Sequence, residues 1–227
     1  MKASDLFVRC LEAEGVERIF GVPGEENADL MLSLEDSRIK FVLCRHEQAA
    51  AFMADAFGRL TGKAGVCLST LGPGATNLVT GLADANMDRA PVVAIIGQGS
   101  TQRLHKESHQ NMDAIGMMEP ISKWEQTVES GETVPEIVRK AFKIAETEKP
   151  GVTVIELPED VAKEDVDRPV MAPNVTRHPA VDHKAIRSTI DAIEMAENPI
   201  ILAGGNRPGL SGDGRCGVRH GGRAMAD

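Results

Sequence analysis

Tyrosine is absent from the 227 residues, and one tryptophan and six phenylalanines bring aromatics to only 3%. The core of such a chain has to be aliphatic and filled out by its 10 methionines. Also missing is any run of about 18 apolar residues that could span a bilayer, and the N-terminus lacks the basic, apolar and small-residue succession of a signal peptide. The four cysteines, Cys10, Cys44, Cys67 and Cys216, are widely separated and form no C-x-x-C pair, which excludes a zinc knuckle and a disulfide framework. These absences predict a soluble, cytoplasmic protein with no membrane contact. Positive charge is short too: Lys plus Arg number 25 against 34 for Asp plus Glu, a net charge of -9. That balance opposes nucleic-acid binding through a broad basic surface, while leaving room for one small anionic ligand held by local donors.

Several catalytic signatures are missing as well. A phosphate-binding loop ending at Gly62-Lys63 would need glycine where Phe57 stands and Ser or Thr where Ala64 stands. Gly97-Gln98-Gly99 lacks the third glycine of a dinucleotide fingerprint, and no G-x-S-x-G elbow occurs. His105 and His109 have metal-ligand spacing, but Lys106-Glu107-Ser108 lies between them and no third ligand is evident. No metal is therefore assigned to these residues. Gly212-Asp213-Gly214 is followed by only 13 residues, too few to build a metal-diphosphate fold, and is read as chance.

What is present is alternation. Apolar runs at 16–20, 39–44, 65–70, 90–97, 121–128 and 152–157 read as strands, and residues 3–14, 25–34, 47–60, about 75–85 and 134–145 carry helical spacing. Strand-helix alternation over this length predicts an α/β fold, a doubly wound parallel sheet with helices on both faces, over residues 1–165. Residues 166–184, rich in proline and polar side chains, read as a linker, and 185–205 as the incomplete start of a second α/β domain, with a helix at 183–195 and a strand at 199–203. Residues 206–227 change composition abruptly to glycine and arginine, and are expected to be a disordered or aberrant tail on a truncated or frame-shifted piece of a longer protein.

The sheet directs attention to the carboxyl ends of its strands, where ligands bind in open α/β folds. Glu47 closes one strand and opens a helix. Taken alone it reads first as a helix-end charge; the apolar run Ala49 to Met53 after it also allows a desolvated carboxylate, with the helix N-terminus favouring its charge. The turn from Leu71 to Asn77 places glycines before a helix N-terminus, which suits either a tight connection or close approach to an anion or flat ring.

Taken together, Phe20-Gly21-Val22-Pro23-Gly24, the stretch from Arg45-His46-Glu47 to Ala54, Gly58-Arg59-Leu60-Thr61-Gly62-Lys63 and Gly72-Pro73-Gly74-Ala75-Thr76-Asn77 closely resemble the thiamine diphosphate enzymes of the acetolactate synthase family. The likeness runs from residue 3 to about 205 and is to the amino-terminal, pyrimidine-binding domain. It implies that Glu47 hydrogen-bonds N1′ of the aminopyrimidine and that Val22, Pro23, Gly24, Gly74 and Asn77 border that ring. Gln110 matches a family glutamine near the reacting centre, with His109 a substrate-side candidate before it. The implied reaction joins pyruvate to a second 2-keto acid with loss of carbon dioxide, on thiamine diphosphate held through magnesium by a carboxyl-terminal domain not seen here. His109-Gln110-Asn111-Met112-Asp113 is more like the catabolic, flavin-independent members, which opposes an FAD requirement. A homodimer, or pairing with a separate diphosphate-binding domain, is implied because the family's active site lies between subunits. The alternative reading is a non-catalytic module or half-enzyme subunit of another keto-acid decarboxylase or acetyltransferase.

Overall fold

The computed structural model describes residues 1–104, 106–174 and 181–200. Six strands form one all-parallel sheet in the order β2-β1-β3-β4-β6-β5. The strands are β1 (Arg18–Gly21), β2 (Lys40–Leu43), β3 (Gly65–Ser69), β4 (Val92–Gln98), β5 (Trp124–Thr127) and β6 (Val152–Pro158). Between and after them run α1 (Ala3–Ala13), α2 (Ala28–Glu35), α3 (Glu47–Thr61), α4 (Pro73–Met87), α5 (Ala114–Met118), α6 (Val134–Glu146), α7 (Glu159–Lys163) and α8 (His183–Met195). This is the doubly wound α/β architecture expected from the alternation.

Period-two alternation along the central strands divides the core in two. Val66 and Leu68, Val93 and Ile95, and Ile155 and Leu157 pack with Leu6, Phe7 and Leu11 of α1 and with Val138 and Phe142 of α6. Their neighbours Cys67, Val92, Ala94, Ile96, Val152 and Val154 face the other way, onto Ala50, Ala51 and Ala54 of α3 and Leu78, Leu82 and Ala85 of α4. Every residue of β3, β4 and β6 is buried, so these strands read as continuous apolar runs. Each such Val, Leu or Ile contributes about 1.5–3 kcal/mol by leaving water.

Local chemistry explains where the helices begin. Nδ1 of His46 accepts the Gln48 N–H at 3.1 Å and caps α3, which ends on Gly62 in the left-handed region at φ 70°. Helix α4 starts two residues earlier than its apolar spacing suggests, at Pro73, because proline's fixed φ suits a first helical position. The stretch expected as one helix over 25–34 is instead a 3-10 turn, Glu25–Asn27, followed by α2. Asn27 imposes the break, its side-chain oxygen accepting the Gly24 N–H at 2.9 Å. The strand expected at 16–20 is shifted to Arg18–Gly21, and α5 and α7, at five residues each, are too short to show a period.

Helix α8 matches the predicted 183–195, and all its residues are exposed, including Ile186, Ile190 and Ile193. His105, residues 201–203 of the predicted strand, and the tail 206–227 with Cys216 and Gly212-Asp213-Gly214 lie outside the described residues. Among those that are described, no helix is long and apolar enough to cross a membrane.

Candidate functional site

From β1 the chain crosses to β2 on one side of the sheet, and β3 lies on the other, so the connections diverge between β1 and β3. That divergence opens a crevice at the carboxyl ends of the strands. Three segments line it: Val22, Pro23 and Gly24 after β1, Glu47 after β2, and the turn from Thr70 to Asn77 after β3. The first is stitched to β3 just ahead of the third, since Val22 N–H donates to the Leu68 carbonyl at 3.2 Å. A Cβ on Gly24 would stand 2.6 Å from Thr70 Cβ, so only glycine lets these two loops meet.

Glu47 is the first residue of α3 and is 8% exposed. Asn77, on the first turns of α4, donates its Nδ2 to Glu47 Oε2 at 2.9 Å. Oε1 accepts no hydrogen bond from the described residues and lies toward Gly74, where an added Cβ would come within 3.4 Å of it and 2.9 Å of Thr70 Cγ2. The carboxylate thus has one oxygen fixed and the other turned to a surface cleared of side chain. The apolar surroundings differ from those the sequence suggested. Ala50, Ala51, Gly74 and Ala75 are buried nearby, whereas Ala49, Phe52 and Met53 point outward, because only every third or fourth residue of α3 meets the sheet and α4.

Gln110 approaches from a different loop, 99–113. Its backbone takes φ 53° and packs on Gly72, where a Cβ would fall 2.6 Å from the Gln110 carbonyl oxygen. Gly72 itself has φ 53°. Both Gln110 and His109 are exposed at the surface. The structure therefore brings Val22 to Gly24, Glu47, Gly74 and Asn77 together on one rim, and lays the Gln110 backbone on the turn beside them. Among the described residues, His109 lies exposed on the same loop as Gln110 and makes no hydrogen bond to that rim.

Sequence reasoning overlooked the groups that hold these loops. Thr70 donates its hydroxyl to Glu26 Oε2 at 2.7 Å, across the crevice. Gln98 Nε2 reaches the Met112 carbonyl at 3.2 Å and Glu156 Oε1 at 2.9 Å, tying loop 99–113 to the sheet. Glu156, 4% exposed, also accepts from Thr127 at 2.7 Å, and burial pushes its carboxyl above the usual range. It lines a cavity of about 390 Å³ of mixed character with Gln98, Met112, Asp113, Ile115 and Thr127. A lone glutamate inside the apolar run 152–157 was its one visible signal. The other end of the loop is held by Asp160, which accepts from Thr101 Oγ1 at 2.6 Å and Ser100 Oγ at 3.1 Å. Burial works to raise the Asp160 carboxyl, and these hydrogen bonds outweigh it and leave the group below its ordinary value.

The family model described as thiamine pyrophosphate enzyme, N-terminal TPP binding domain, matches residues 1–117, more than half of the chain. This chain belongs to the thiamine pyrophosphate enzymes. Within that family it is 43% identical over 216 residues to a probable acetolactate synthase large subunit of Methanocaldococcus jannaschii, covering 90% of this chain and 36% of that protein. To the catabolic acetolactate synthase of Raoultella terrigena it is 42% identical over 206 residues, 88% of this chain and 36% of the other. To the acetolactate synthase isozyme 2 large subunit of Escherichia coli it is 36% identical, over 90% of this chain and 37% of the other. The chain thus spans about a third of the length of the curated relatives it matches. The residues present fit the pyrimidine end of thiamine pyrophosphate, also called thiamine diphosphate. Glu47 Oε1 is unpaired among the described residues and Gly74 leaves the space before it clear.

Proposed function

We propose that this chain supplies the pyrimidine-binding half of a thiamine diphosphate site in an acetolactate-synthase-like enzyme. The observation that carries the reading is Glu47, nearly buried at the head of α3, with Oε2 fixed by Asn77 and Oε1 facing Gly74. A carboxylate so held can share a proton with ring nitrogen N1′ without reorganising, which is what general acid-base work on the aminopyrimidine requires. Val22, Pro23 and Gly24 border the ring on one side and Gly74 and Asn77 on the other. Gln110, with its backbone on Gly72, and His109 stand on the substrate side.

When bound, thiamine diphosphate supplies the carbon centre for joining pyruvate to a second 2-keto acid with loss of carbon dioxide. The cofactor's diphosphate and its magnesium fall to a diphosphate-binding domain outside these residues, and the working assembly is a homodimer or a pairing with a chain that carries that domain. The setting is the cytoplasm, and no flavin is assigned.

Calorimetric titration with thiamine tests this reading. Glu47→Gln keeps the shape and removes the charge, and is expected to weaken binding at least tenfold. Equal affinities for Glu47→Gln and the parent chain would remove Glu47 from the site.

A further inference from the structure

We propose that Glu26 is a second ligand-facing carboxylate of this half-site, one that pairs with the positive charge of the ligand whose aminopyrimidine Glu47 receives. The proposal rests on the reading of Glu47 above and adds a determinant for the other ring.

Glu26 lies in the 3-10 turn immediately after Gly24, so it leaves the sheet at the carboxyl end of β1. Its Oε2 takes the Thr70 hydroxyl at 2.7 Å, 44 residues along the chain. The same threonine's methyl lies against Gly74, with 2.9 Å to an added Cβ there, and that Cβ position is 3.4 Å from Glu47 Oε1. Thr70 therefore stands between two carboxylates that arrive from different strands, and both project onto one patch of the rim.

The turn carrying Glu26 is held in place. Asn27 is 4% exposed, its oxygen accepts the Gly24 N–H at 2.9 Å, and it packs on Gly97, where an added Cβ would lie 3.5 Å from Asn27 Cβ. A glutamate on so fixed a turn presents its charge at a defined place.

That charge has no cationic partner among the described residues. Asp29, Asp55 and Glu159 are each bridged by Lys or Arg, and Glu26 has only the neutral hydroxyl of Thr70 on one oxygen. An unpaired, half-buried carboxylate on a ligand-binding rim suits a ligand that carries positive charge. Thiamine is such a ligand, since its thiazolium is a quaternary cation one methylene away from the aminopyrimidine. The structure thus assigns the two rings to two carboxylates, hydrogen bonding at Glu47 and charge at Glu26.

The test compares two probes on the 227-residue chain at pH 8 by calorimetry: thiamine, a cation, and 4-amino-5-hydroxymethyl-2-methylpyrimidine, its neutral half. Glu47→Gln is expected to weaken both. Glu26→Gln, which retains an acceptor for Thr70, is expected to weaken thiamine about two- to fivefold, the worth of a partly exposed ion pair, and to leave the pyrimidine unchanged. Glu26→Asp restores discrimination, and raising salt shrinks the difference between the parent and Glu26→Gln. The inference is overturned if Glu26→Gln binds thiamine like the parent, or if it loses both probes equally, which would mean that the turn had collapsed. A Glu47→Gln chain that binds both probes normally, beside a thiamine-specific loss in Glu26→Gln, sinks the Glu47 reading and not this one. Failure of the parent to bind either probe refutes both.

Discussion

Replacing Gly81 by alanine measures how closely α3 and α4 must approach to build the site. Gly81 lies one turn beyond Asn77 on α4, and an added methyl would stand 2.6 Å from Ala51 Cβ and 3.2 Å from Phe52 N on α3. Carbon atoms pack best at about 3.5–4.0 Å, so the overlap is roughly 1 Å. Neither obstacle is a flexible side chain, and relief requires the two helices to separate. Alanine gains about 1 kcal/mol of helix propensity over glycine, and overpacking a close contact costs about 1–3 kcal/mol. The packing cost is the larger, and Gly81→Ala is expected to destabilise by about 1 kcal/mol in urea unfolding. Adding Ala51→Gly removes the nearest methyl, so the pair should couple by about 1–2 kcal/mol in a double-mutant cycle. The single variant also draws Asn77 away from Glu47 and should weaken thiamine binding, with recovery in the double variant. A Gly81→Ala chain as stable as the parent would show that propensity met no clash, and the close-approach argument would fall.

Two further expectations concern stability. Burial first, and then the charge of Glu146, raise the Glu14 carboxyl from 4.5 to about 7, against a lowering by Arg139. The folded chain therefore holds an extra proton between those values, and stability drains away as pH rises from 4.5 through 7. Glu14→Gln should raise the urea midpoint at pH 8 and have little effect at pH 4.5, and a gain of equal size at both pH values would contradict this. Arg59 bridges Asp55 at 2.7 Å and Asp84 at 2.8 Å and also contacts Asp88, clamping the end of α3 to α4. Since Asp55 is 5% exposed, Arg59→Met leaves its charge unpaired and should cost about 1–3 kcal/mol, with Arg59→Lys recovering only part because the planar fork is lost. Unchanged thermal unfolding in Arg59→Met would refute the clamp.

Elements that obey one period were legible from the sequence. The apolar runs of β4 and β6 and the amphipathic spacing of α6 and α8 are local signals, and the structure places them within one or two residues of where they were read. What escaped was set by contacts between distant residues. Asn27 breaks the first helix by bonding Gly24, and α5 and α7 are single short turns against the sheet. The site divides the same way. The residue types at Glu47, Gly74 and Asn77 were visible as a resemblance, but nothing local joins Asn77 to Glu47 across 30 residues, or Thr70 to Glu26 across 44.

The two ends of the sheet domain meet in space, with consequences for how the chain is made. Val166 N–H donates to the Met1 carbonyl at 2.8 Å, Ala3 N–H to the Glu164 carbonyl at 2.8 Å, and Glu164 also accepts from Gly131 N–H at 2.7 Å. Helix α1, whose Leu6, Phe7 and Leu11 are wholly buried, packs on α2, which follows it closely in the chain, and on α6 and α7, which are translated much later. At ribosomal speeds of about 5–20 residues per second, the first helix waits roughly 8–30 seconds for these partners. During that interval only α2 is at hand to cover part of its apolar stripe, and a nascent chain of this kind is a natural client for any chaperone stationed at the exit tunnel.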